Sequence, residues 1–219
     1  MPAAHLTTTL LALMAWAAAL DWVAVARSWH RLELVAKPLT LALLVAAAGS
    51  ADLGSAKPWV VAALGLGLAG DVALLFSKDG GNSPDRAFLL GLGSFLLGHG
   101  CYLIAFTRHG LHPVQLVTGV LVVLGIAGFT LPVVLRRAAA AEGGQLAAAV
   151  GSYAATLGAM AVLGIGTSSI AVAVGGVLFL VSDTALGWQR FVRPLPRGPL
   201  TVIVTYHLAQ ALIVIGLIR

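Results

Sequence analysis

The chain reads as an all-α, polytopic membrane protein with eight transmembrane helices, and three observations carry that reading. Of its 219 residues, 59% are hydrophobic and 10% are charged, and the mean hydropathy is +0.99, beyond what a soluble globular domain of this size shows. The apolar residues gather into eight runs of about 18 to 23 residues, each able to cross hydrocarbon as a helix. Most of the charges fall between the runs, and glycine or proline marks most of their boundaries, where helices are interrupted.

The first span, 6–26, has no basic segment before it and no small-residue cleavage site before Asp21, so it reads as a retained helix rather than a leader. Asp21 is placed at its edge: a helix ending just before it leaves the carboxylate in the headgroup region beside Trp22. The second span, 34–51, contains Lys37. Gly54 and Pro58 open the third, 58–77, and Gly80, Gly81 and Pro84 precede the fourth, 87–107. His112-Pro113 starts the fifth, 113–135, and Gly143-Gly144 precedes the sixth, 145–163. The seventh covers 169–188, and Pro194, Pro196 and Pro199 mark the approach to the eighth, 198–218. Short loops leave no room for a soluble domain, so 1–219 is expected to form one transmembrane domain. Runs such as Gly65-Leu-Gly67-Leu-Ala-Gly70 and Gly91-Leu-Gly93 let helices approach closely, a packing role that needs no ligand.

A net charge of +5 and a pI near 10.0 would fit nucleic-acid binding if the basic residues formed one patch; instead they sort by membrane side. The odd-numbered loops hold Arg27, Arg31, Lys78, Arg86, Arg136, Arg137, Arg190, Arg193 and Arg197, and the opposite side holds Lys57, Arg108 and Arg219. That bias predicts odd loops in the cytoplasm, both termini outside and a place in the cell membrane. Cys101, the only cysteine, excludes an intramolecular disulfide and a Cys-based metal site.

Asp71 and Asp183 lie inside the third and seventh spans. A carboxylate in such a place costs about 2.5–3.5 kcal/mol even on lenient insertion scales, so its default reading is functional. Their contexts match, Asp-Val-Ala-Leu-Leu-Phe at 71–76 and Asp-Thr-Ala-Leu-Gly-Trp at 183–188, and His99 and His207 follow in the next spans. A 4+4 tandem repeat would explain this and would set both aspartates at one depth. Chance similarity between Ala-Leu-rich helices explains it as well.

Counting from the span ends at ~1.5 Å per residue, Asp71 and Asp183 lie roughly 8–9 Å in from the cytoplasmic face, with Lys37 near that face. Tyr153 and Tyr206 lie at roughly 12 Å, Gln210 a turn deeper and His99 at roughly 18 Å. These depths allow one cavity open to the cytoplasmic leaflet. Each residue also has a plainer role: Lys37 snorkelling to headgroups, Tyr153 bonding a neighbouring backbone, His99 and His207 as buried structural histidines. Tyr206 and Gln210 share a face at i and i+4, as His99 and Tyr102 do at i and i+3.

The sequence offers no HExxH, no cysteine pair and no histidines at i and i+4, so a zinc site would need ligands from four helices, and no metal or cofactor is expected. A nucleophilic serine lacks its G-x-S-x-G turn. Residues 68–71 read Leu-Ala-Gly-Asp rather than the G-x-G-D of intramembrane aspartyl proteases.

Six motifs in order complete the pattern: Lys37-Pro38-Leu-Thr, Gly70-Asp71-Val-Ala-Leu-Leu, Phe95-x-x-x-His99-x-x-Tyr102, Tyr153, Phe179-x-x-Ser182-Asp183, and Tyr206-x-x-x-Gln210. With these the chain resembles the YhhN-type lysoplasmalogenases from about residue 34 to its end. The resemblance implies an eight-helix membrane hydrolase of the lysoplasmalogen vinyl ether bond, with lysophospholipid and membrane lipids as its partners. Helix one, with Asp21, carries no matching motif. Such a reaction runs by acid: the β-carbon takes a proton, an oxocarbenium ion forms, water adds and the hemiacetal collapses to aldehyde and alcohol. Two carboxylates that divide acid and base roles suit it, by analogy with glycosidic cleavage. Asp183 is expected to be the acid and Asp71 the base, with Lys37 on the substrate phosphate. Tyr153, Tyr206 and Gln210 would hold water and glycerol oxygens; His99, Tyr102 and His207 belong to the same substrate-binding set. The rival reading is a proton-coupled transporter or channel, since intramembrane Asp, His and Tyr also build proton relays.

Overall fold

The computed structural model describes residues 2–77 and 86–219. Among them are eight helices long and apolar enough to cross a membrane: α1 Pro2–Arg27, α2 His30–Ser50, α3 Lys57–Leu75, α4 Arg86–His109, α5 Pro113–Glu142, α6 Gly144–Gly166, α7 Ile170–Phe191 and α8 Gly198–Leu217. A single 3-10 turn, Gly54–Ala56, precedes α3. The described residues contain no strand. The predicted breakers Gly80, Gly81 and Pro84, together with Lys78, lie outside the described residues.

Most helix ends follow local chemistry. Pro58 and Pro113 occupy the first turns of α3 and α5, where a missing N–H costs nothing. Ser169 caps α7 by accepting from the Val172 N–H, and its hydroxyl donates to the Gly216 carbonyl. Pro38 lies within α2, tolerated because a membrane helix can re-satisfy the freed backbone locally; two residues on, Thr40 donates back to Ala36 O at 2.8 Å. α5 runs well past the span read from hydropathy. Its continuation holds Arg136, Arg137 and an alanine run, polar enough to end an apolar window yet strongly helix-forming. Only Gly143 then separates α5 from α6, at φ 86° and ψ 178°, a conformation open to glycine and little else.

The chain divides into two compact units, residues 1–109 with 217–219, and 110–216. In the first, α1 packs on α2, α2 on α3, and α3 on α4. Gly98 makes the last contact close: a Cβ there would stand 3.2 Å from the Ala63 carbonyl oxygen. In the second, α5 packs on α6, and α7 on both of them; Gly175 brings α7 against α8, since a Cβ would meet the Ala209 carbonyl oxygen at 2.9 Å. Each unit thus has four helices, but the pairings differ, and the fold does not confirm the tandem repeat. Leu121, Leu124 and Phe129 of α5 are among the large apolar side chains that face outward, as expected where lipid is the solvent.

Candidate active site

In the first unit the structure joins Lys37 to Asp71. Lys37 lies seven residues into α2 and Asp71 four residues from the end of α3, which brings both near one end of the unit. Lys37 Nζ stands 3.3 Å from Asp71 Oδ1, with the lysine side chain 14% and the aspartate 2% exposed. Each charge makes the other tolerable there, for removing one partner from such a buried pair typically costs about 3–5 kcal/mol. The glycine before Asp71 has a packing reason: a Cβ on Gly70 would sit 2.7 Å from the Phe95 ring. The Gly70-Asp71 and Phe95-x-x-x-His99 motifs therefore meet at one α3–α4 contact. His99 and Tyr102, each 1% exposed, are both buried in α4, and Tyr102 stacks on Phe106 with centroids 5.7 Å apart.

In the second unit Tyr153 of α6 donates its hydroxyl to Asp183 Oδ2 of α7 at 2.5 Å. The Ser182 hydroxyl donates to the Val202 carbonyl oxygen of α8 at 3.0 Å, so the Ser182-Asp183 pair ties α7 to both neighbours. Tyr206 is buried edge-on against Phe179 at 5.4 Å, with the His207 ring 5.6 Å from its own. Gln210, one turn on, is 1% exposed.

Each unit accordingly joins an aspartate inside a span to a partner on a neighbouring helix, Asp71 to Lys37 and Asp183 to Tyr153. An ion-paired carboxylate such as Asp71 can stabilise a developing cation. A carboxyl oriented by a phenol, as Asp183 is, can exchange a proton along a fixed direction. Among the described residues no three His, Cys, Asp or Glu side chains come together to hold a metal ion.

Asp21 is the residue that sequence reasoning undervalued. α1 does not stop before it but continues to Arg27, and Asp21 is fully buried. The signal was present in the sequence: no helix breaker follows Asp21 before Ser28.

Residues 32–217 match the YhhN family, and the chain belongs to it. The match takes in every motif residue from Lys37 to Gln210 and begins after α1. Lysoplasmalogenase TMEM86B of Sus scrofa is 34% identical over 131 residues, covering 58% of this chain and 53% of that protein. The Homo sapiens protein of the same name is 33% identical over 134 residues, 61% of this chain and 55% of its own length. That of Mus musculus is 30% identical over 202 residues, 90% and 80% of the two chains. The chain thus spans about half the length of the Sus scrofa and Homo sapiens relatives it matches. No solved structure matches.

Proposed function

We propose that this member of the YhhN family is a membrane-embedded hydrolase that cleaves the vinyl ether bond of lysoplasmalogen lipids, releasing a fatty aldehyde and a glycerophospho-headgroup. The observation that carries the reading is the pairing of one aspartate per unit with a partner suited to acid–base work, Lys37 with Asp71 and Tyr153 with Asp183. The relatives named lysoplasmalogenase support the substrate class.

A vinyl ether resists base and yields to acid, so the enzyme must deliver a proton to the β-carbon and stabilise the oxocarbenium ion that follows. Asp183 is the general acid, its carboxyl oriented by the Tyr153 hydroxyl. Asp71 is the ionised carboxylate: the Lys37 ammonium compensates its charge at rest, and the carboxylate stabilises the cation and directs water onto it. Water adds as Asp71 takes one of its protons, and that proton, exchanged through solvent, replaces the one left on carbon; the hemiacetal then collapses to aldehyde and alcohol, its hydroxyl proton passing to the alcohol oxygen. Lys37 has three N–H donors, which allows it to meet a phosphate oxygen while held by Asp71. Tyr153, Tyr206 and Gln210 position water and glycerol oxygens, His99, Tyr102 and His207 serve substrate binding, and apolar helix surface takes the alkenyl chain.

The protein lies in the cell membrane with its odd-numbered loops in the cytoplasm and both termini outside, an orientation supported by the basic-residue bias. The test is to incubate purified protein with lysoplasmenylethanolamine and, in parallel, with the ester-linked lysophosphatidylethanolamine. Free fatty aldehyde from the first and no fatty acid from the second is the expected result. Absence of aldehyde would remove the reaction.

A further inference from the structure

α1 and α2 form a hairpin turned at Ser28-Trp29, with Ser28 at φ 55° and the Trp29 N–H bonded to Ala24 O at 2.8 Å. Asp21 stands seven residues before Ser28 and Lys37 eight after Trp29. In two antiparallel helices these positions are level. Asp21 is fully buried, and neither carboxylate oxygen has a hydrogen-bond partner among the described residues. The charged side chains near enough to act on it are Lys37, Glu33 and Asp71. Glu33 already has a partner, His30 Nδ1 at 3.4 Å. Lys37 is the cation left to serve Asp21, and it is also the cation of Asp71.

A buried carboxylate without a donor is one of the most unfavourable arrangements a protein can keep. At rest Lys37 is paired with Asp71 and leaves Asp21 unserved; an ammonium on a flexible four-carbon stem can exchange the one anion for the other. The proposed reaction has two states that call for such an exchange. At rest Asp71 needs Lys37 to compensate its charge. When the oxocarbenium ion forms beside Asp71, the ammonium becomes a like charge next to the cation and opposes it.

We propose that Asp21 is a positioning residue, the second seat of Lys37, which draws the ammonium away from Asp71 as positive charge develops on the substrate. The inference rests on the hydrolase reading above and adds to it a residue of α1, ahead of the family match. No covalent step is involved. The lysine side chain changes its carboxylate partner, and the net charge of Asp21, Lys37 and Asp71 is the same in both states.

The test is a double-mutant cycle on the purified full chain with Asp21→Asn, Lys37→Met and both together, plus Asp21→Glu. The near-isosteric Asn should lower kcat for lysoplasmenylethanolamine at least about tenfold while leaving KM within about threefold, because the seat is used only in the transition state. Glu, which restores the charge, should recover part of the loss. In the Lys37→Met background, where there is no ammonium to move, adding Asp21→Asn should change kcat less than about twofold. Melting the same four proteins in detergent reads the coupling without any substrate, and the shifts of the two single variants should not sum to that of the double. Retention of more than half the wild-type kcat by Asp21→Asn, or multiplication of the two losses, overturns the proposal. If the wild type releases no aldehyde, the hydrolase reading fails by itself, and the melts alone decide whether Asp21 and Lys37 are coupled; additive shifts then overturn it.

Discussion

Replacing Tyr153 with phenylalanine removes one oxygen and little else. Its hydroxyl donates to Asp183 Oδ2 at 2.5 Å. A hydrogen bond to a neutral carboxyl contributes about 0.5–1.5 kcal/mol, which corresponds to roughly a two- to tenfold change in rate if it acts on the reacting carboxyl. The loss should fall on kcat, because the bond orients Asp183 for proton delivery and does not bind the lipid; KM should move less than about threefold. The assay is aldehyde release from lysoplasmenylethanolamine by purified protein, with a detergent melt to establish that the variant is folded. Because the ring is retained, the melting curve should stay close to that of wild type. A Tyr153→Phe protein that keeps more than about half its kcat would refute the argument that Tyr153 sets the position of Asp183.

Lys37→Met should separate the two roles given to Lys37. Loss of a phosphate contact raises KM for the lysophospholipid but not for a vinyl ether glycerol lacking phosphate, whereas loss of charge compensation at Asp71 changes kcat for both alike; identical KM shifts for the two would remove the phosphate role. Activity should survive EDTA and prolonged dialysis, since the described residues hold no ligand cluster; loss on chelation, reversed by Zn²⁺ or Mg²⁺, would replace the carboxylate mechanism with a metal-activated water. A reporter fused after Arg219 should report the outside and one inserted between Lys78 and Pro84 the cytoplasm, and the reverse would invert the map.

Much of this was legible in the sequence, for identifiable physical reasons. Spans of apolar residues long enough to cross a bilayer predict the eight helices because a lipid-exposed backbone must satisfy its hydrogen bonds internally. The helix ends were less legible. Hydropathy falls at Arg136 and Arg137, yet α5 continues to Glu142, because helix propensity and hydrophobicity are separate properties. Asp71 and Lys37 could be picked out by type, and depth counting brought them near one level, but the 3.3 Å pair depends on the rotation of α2 against α3, which no periodicity records. The Tyr153–Asp183 bond depends likewise on how α6 faces α7. Asp21 was misjudged because a charge close to the end of an apolar run looks like a boundary. The turn at Ser28-Trp29 sets it level with Lys37.

The most direct test of the central claim, that two intramembrane aspartates cleave a vinyl ether, is aldehyde release by Asp71→Asn and Asp183→Asn measured against wild type, with each protein first shown to be folded. Each substitution keeps the side-chain shape and removes the acid–base function. The account predicts that each folded variant loses about a thousandfold or more in kcat, the scale expected when a positioned general acid or base is removed. A folded variant of either aspartate that retains more than about a tenth of wild-type turnover, a loss worth less than ~1.4 kcal/mol, would contradict it.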